Sequence, residues 1–125
     1  MNKSNFEELE IRKMGNELIF DLWKIFYDKN FKIFDFQSQI MRATISIANN
    51  IAEWYERGSK KEFIHFLYYA KWSCGEVRSM LYAAQRFSYI NEQQFSDFKY
   101  RCMTLSTKIY NFIKYLKEKE KTKIK

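Results

Sequence analysis

Not one of the 125 residues is proline, and only Gly15, Gly58 and Gly75 are glycine. Turns of strict geometry lean on those two residue types, glycine for a positive φ and proline for a preset one. A sandwich of short strands needs such a turn roughly every 8–12 residues. This chain cannot supply them, so it is expected to be all-α. Its length suits one domain large enough to bury a core. Hydrophobic residues make up 46% and charged residues 30%, the balance of a globular chain and not of a disordered one.

Hydrophobic spacing divides the chain into four helices. Ile11, Gly15, Leu18, Leu22 and Ile25 fall at alternating steps of four and three, which predicts a helix over about 6–28. Phe36, Ile40, Ala43, Ile47, Ile51 and Trp54 predict a second over 35–57, with Gly58 as its left-handed C′ residue. Ser59-Lys60-Lys61-Glu62 reads as a capping box opening a third helix over 60–87. Its stripe is Phe63, Leu67, Ala70, Cys74, Val77, Leu81 and Ala84. Asn91-Glu92-Gln93-Gln94 is a second box, opening a helix over 92–116. Phe95, Phe98, Cys102, Leu105, Ile109, Phe112 and Leu116 form that helix's stripe. Four amphipathic helices with short connections make an antiparallel up-down-up-down four-helix bundle. It is read as one domain over 1–116, followed by a basic tail over 117–125. Gly15 costs its helix about 1 kcal/mol against alanine, which a close neighbouring helix would explain.

The net charge of +7 is uneven. Residues 59–90 carry five basic against two acidic residues and 91–125 carry nine against four, while the first 58 are close to neutral. Such an excess draws a protein to nucleic acid or anionic surfaces, unless it is only a solubilising lysine tail. The candidate phosphate contacts are Lys60, Lys61, Arg78 and Arg86, with Lys114, Lys117 and Lys121 in the tail. Arg42 is a weaker candidate. No apolar run reaches the length of a membrane span. Met1 leads into the polar Asn2-Lys3-Ser4-Asn5, so no secretory signal is expected. The expected compartment is the cytoplasm, with Cys74 and Cys102 as reduced thiols.

Enzyme classes find little support. His65 is the sole histidine, so no Ser-His-Asp or Cys-His constellation can be assembled. A bundle di-iron site needs Glu-x-x-His motifs, and nucleotide cradles need glycine-rich loops; neither pattern occurs. Cys74 and Cys102 sit on apolar stripes as small hydrophobes. The chain is therefore read as non-enzymatic, with no catalytic residue, metal, cofactor or small-molecule substrate.

Two helix faces invite a role. On the second helix, Gln39, Ser46, Asn50 and Glu53 form a polar strip, with Arg42 and Asn49 beside it. It is either a hydrogen-bonding seam to a neighbouring helix or subunit, or an RNA-contacting strip. On the third helix, Tyr68, Trp72 and Tyr82 lie opposite the core stripe, among Lys61, His65, Ser79 and Arg86. A monomeric bundle would show water a polar face there. These aromatics are expected at an oligomer interface, on a stacking platform for unpaired bases, or at both.

The run Gln39-Ile40-Met41-Arg42-Ala43-Thr44-Ile45-Ser46-Ile47-Ala48-Asn49-Asn50-Ile51-Ala52-Glu53 carries more than periodicity. With Arg57, Ser59, Lys60, Lys61, Glu62, Phe63, Phe66 and Leu67 it resembles the 23S rRNA intervening-sequence protein family, also called the four helix bundle protein family. That pattern is roughly Q-I-x-R-A-x-x-S-I-x-x-N-I-A-E-G, then R-x-S-x-K-E-F-x-x-F-L. The likeness covers about residues 6–116. Trp54 stands where glycine is usual and Ala48 where proline is common, changes that make the second helix more continuous. The resemblance implies a four-helix fold, a ring-shaped homopentamer and no enzymatic activity. It makes Gln39, Arg42, Ser46, Asn50 and Glu53 a largely structural motif. A more distant similarity is to the accessory protein of diversity-generating retroelements, a basic pentamer that partners a reverse transcriptase and nucleic acid. The implied partners are thus other copies of the chain, and RNA or DNA.

Overall fold

The structure, a computed structural model, describes residues 3–28, 30–52 and 59–124. Its helices are α1 (Lys3–Phe26), α2 (Phe34–Ala52), α3 (Lys60–Arg86) and α4 (Glu92–Ile124). No strand occurs among the described residues.

Side-chain caps set two of the starts. Ser59 Oγ accepts the Glu62 N–H at 3.3 Å, which opens α3. At α4 the box is reciprocal. Asn91 Oδ1 accepts the Gln94 N–H at 2.7 Å, and Gln94 Oε1 accepts the Asn91 N–H at 2.8 Å. Each bond satisfies a donor that the first helical turn leaves unpaired. The end of α3 is a Schellman turn: Tyr89 N–H donates to Ala84 O and Ser88 N–H to Gln85 O. Ser88 holds the left-handed position, at φ 63°, where glycine is usual.

Every helix packs on the two beside it: α1 on α2, α2 on α3, α3 on α4, and α4 back on α1. Cross-helix pairs run in opposite directions. Glu10 meets Lys108 and Asp21 meets Arg101, while Phe63 meets Phe112 and Tyr82 meets Phe95. The bundle is therefore antiparallel throughout. The stripes expected of α3 and α4 are buried in full, and α2 buries Ile40, Ala43, Ile47 and Ile51. At one end the two short connections are latched together by rings. Phe31 meets Phe26 and Tyr89 edge-on at 5.1 Å, and Phe36 packs on both Phe26 and Tyr89.

Several expectations need correction. Residues 117–124 are not a separate tail, because α4 runs on through Ile124. Lysine and glutamate are strong helix formers, and nothing in Lys117-Glu118-Lys119-Glu120-Lys121 breaks the turn. On α1 it is Phe26 that reaches the core, with Ile25 only half-buried. The chain bends sharply after Phe26, and that ring fills the end of the core with Phe31 and Phe36. Glu53, Trp54, Arg57 and Gly58, and with them the expected end of the second helix, lie outside the described residues. Gly15 does face a neighbour: a Cβ built there would lie 3.9 Å from Ala48 Cα and Cβ, ordinary van der Waals contact. Among the described residues no helix is long and apolar enough to cross a membrane.

Candidate nucleic-acid interface

Antiparallel pairing of α3 and α4 lays two helix edges side by side along an outer seam. From α3 come Lys71, Arg78, Tyr82 and Arg86, spaced so that they share one edge. From α4 come Lys99, Tyr110, Lys114, Lys117 and Lys121, on the facing edge. Lysines and rings alternate across the join. Lys99 Nζ lies 5.2 Å from the Tyr82 ring, and Lys71 and Lys114 both approach Tyr110 at 5.9 Å. Lys117 Nζ sits 5.0 Å over the Tyr68 ring and donates to its hydroxyl at 2.7 Å. Such contacts hold the ammonium groups near the surface and leave them N–H donors to spare.

Midway along the seam is a groove of about 400 Å³. Cys74, Gly75, Cys102 and Ser106 line its base, and Lys71, Trp72, Glu76 and Arg78 its rim. Burial pushes both thiols up to about 12, so they stay protonated and unreactive at neutral pH. Trp72 is 61% exposed.

The sequence candidates divide accordingly. Arg78, Arg86, Lys114, Lys117 and Lys121 are exposed and share the seam. Lys61 is exposed too, but it lies around α3 beside Glu62, His65 and Phe66. Lys60 is half-buried and engaged within the protein. Of the aromatics expected at an oligomer interface, Tyr68 is half-buried under Lys117 and Tyr82 lies beneath Lys99. His65 meets Tyr69 on its own helix, with Nε2 3.0 Å from the hydroxyl. Among the described residues no three of His, Cys, Asp and Glu gather as a metal-binding group.

The polar strip of α2 separates into two parts. Asn50 Nδ2 donates to Ser46 O at 2.8 Å and to Ser46 Oγ at 3.0 Å, and Ser73 Oγ donates to Ser46 Oγ at 3.0 Å. Ser46 therefore ties α2 to α3, and Asn50 braces it from its own helix. Gln39, Arg42 and Asn49 face solvent. Glu53 lies outside the described residues.

Lys71, Lys99 and Tyr110 went unread in the sequence, although Lys71 stands seven residues before Arg78 and Lys99 eleven before Tyr110. A second surface also emerges only in the fold. Phe20 and Trp23 of α1 and Tyr27 just after it are about half exposed, and Tyr27 lines a hollow with Met41, Arg42 and Ile45 of α2. Their 3-4 spacing was the available signal, on the face opposite the core stripe.

The motif joining α2 to α3 has a counterpart among known proteins. Residues 7–111 match the family model described as 23S rRNA-intervening sequence protein. The chain belongs to that family. The fold has a solved counterpart in a Bacteroides thetaiotaomicron protein of unknown function from the S23 ribosomal protein family. The two chains are 18% identical, with a TM-score of 0.75 over 90% of this chain and 99% of the other. At that identity the likeness shows the fold alone. No curated protein matches the chain. Within the family's pattern, Ser46 has a structural task here, the tie between α2 and α3, with Asn50 holding its hydroxyl.

Proposed function

We propose that this protein is a non-enzymatic, cytoplasmic homo-oligomer that binds structured RNA, or nucleic acid generally, along the α3/α4 seam. The observation that carries this reading is the grouping of Lys71, Arg78, Arg86, Lys99, Lys114, Lys117 and Lys121 on one side of the bundle. Neutralising phosphates releases condensed counterions, and an oligomer multiplies weak contacts into avidity. The family's description, which refers to an rRNA insertion, supports the same reading. Five copies per ring is the size that the family resemblance implies.

Self-association fits the α1/α2 surface better than the α3 aromatics. Phe20 and Trp23 are 57% and 51% exposed, Trp23 stacks on Tyr27, and Tyr27 borders Ile45; exposed apolar patches of this kind mark interaction sites. Tyr68 and Tyr82 carry lysines on their faces, and so does Phe20, under Lys24 at 4.3 Å, so the preference rests on the exposed Trp23–Tyr27 stack.

The test is binding of the nuclease-treated protein to a labelled structured RNA across a salt series. A steep fall of affinity with salt is expected. Lys114→Gln with Lys117→Gln should flatten the log–log slope by about 0.7–0.9 per lost contact. No binding at low salt would turn the protein into an interaction scaffold whose charge only solubilises it.

A further inference from the structure

Gly75 sits in the middle of α3, where glycine costs a helix about 1 kcal/mol against alanine. Packing does not require it. A Cβ built at Gly75 meets no atom within 4 Å, and its φ is not in the left-handed region. Gly15 differs, since it faces Ala48 across the α1/α2 contact. What the missing side chain at Gly75 does is open the base of the seam groove, between Trp72 and Arg78.

We infer that this groove is a receptor for one unpaired nucleobase of a single strand crossing the seam. The inference rests on the nucleic-acid reading above and narrows it from polyanions in general to single strands. Three features match that occupant. The groove, at about 400 Å³, falls in the size range of small-ligand clefts, about 300–1,000 Å³. Its rim offers the indole of Trp72, 61% exposed, as a stacking face. Lys71 and Arg78, also on the rim, stand where the flanking phosphates of a bound nucleotide would need cations. A duplex keeps its bases stacked inside and could use only the cations. Sequence tolerance follows, because every base has a π-face for an aromatic side chain.

The experiment compares two probes on the full chain: a labelled oligouridylate and a fully paired RNA duplex of equal length. Two variants separate stacking from charge. Trp72→Ala removes the stacking face, and Gly75→Leu fills the groove while improving the helix. Each is expected to weaken oligouridylate binding about tenfold, within the range for losing one base–aromatic stack. Duplex affinity should change less than twofold, and the salt slope for either probe should stay as it was. Arg78→Gln should weaken both probes and flatten both slopes.

Equal affinity for the two probes, with neither variant changing either, would overturn the groove assignment and leave the nucleic-acid reading standing. Failure of both probes to bind at low salt would remove both. A change of native mass in Trp72→Ala would mean that a second copy covers the groove, and would also overturn the assignment. Trp72 is exposed, so that variant keeps the test decisive if Gly75→Leu folds poorly.

Discussion

Ser88 shows how much one backbone angle can hold back. It occupies the left-handed C′ position at φ 63°, where a side chain costs about 1–2 kcal/mol. Ser88→Gly is expected to stabilise the fold by about 1 kcal/mol, less the entropy that glycine adds to the unfolded chain. A thermal melt raised by a few degrees would show it; a lowered melt would count against the turn. Gly15→Ala should stabilise by a similar amount, because the new methyl finds ordinary contact with Ala48. The thiols give a pH signature. Folded, Cys74 and Cys102 keep their protons to about pH 12, chiefly because burial disfavours the thiolate. Unfolded, they ionise near 9.0. Above that pH the unfolded chain has shed protons that the folded one retains. Their contribution is whole below pH 9 and is lost as pH climbs towards 12, by up to about 1.4 kcal/mol per pH unit for each thiol. Urea midpoints should therefore fall more steeply above pH 9 in the native chain than in Cys74→Ala/Cys102→Ala, whose two alanines cannot ionise.

At the level of the helices, the tie between α2 and α3 is a falsifiable joint. Ser46→Ala takes away the acceptor of the Ser73 hydroxyl while Asn50 keeps the Ser46 carbonyl, so it should cost about 1 kcal/mol by chemical denaturation. Ser73→Ala should cost less, because the Ser46 hydroxyl keeps Asn50. Spacing alone was enough to read the inner stripes of α3 and α4, and the caps at Ser59 and Asn91 were legible as short local patterns. Those features live within one helix, where residue number converts directly to direction. The cationic seam does not. It needs Lys71 of α3 and Tyr110 of α4 to be neighbours, which only antiparallel pairing decides. The outer aromatics of α1 obey the same periodicity as its core, yet a search for one apolar face stops at Leu18 and Leu22 and leaves Phe20 and Trp23 unexplained. Lys117–Lys121 was misread for a different reason. A charge run looks like a solvated tail, and nothing local says that the preceding helix will carry it.

For the molecule as a whole, the two faces predict opposite responses to one kind of substitution. A carboxylate in place of Trp23 should break the assembly into smaller species, read by native mass spectrometry. The same change at Trp72 should leave the mass alone and weaken RNA binding. The reverse outcome would return the oligomer interface to α3. The length of α4 has a further consequence. Its 33 residues make a rod of about 50 Å, and among its described side chains the last buried one is Leu116. Beyond it the final turns carry Lys117, which reaches back to Tyr68, then Lys119 and Lys121, at the end of the bundle remote from the aromatic latch. Lysines outnumber glutamates three to two over 117–121, so this end, set off from the core on a rigid helix, carries a small net positive charge and gives the molecule a modest dipole. In the field of a polyanion such a body feels a torque before it makes any contact, so it would arrive already turned, pole first.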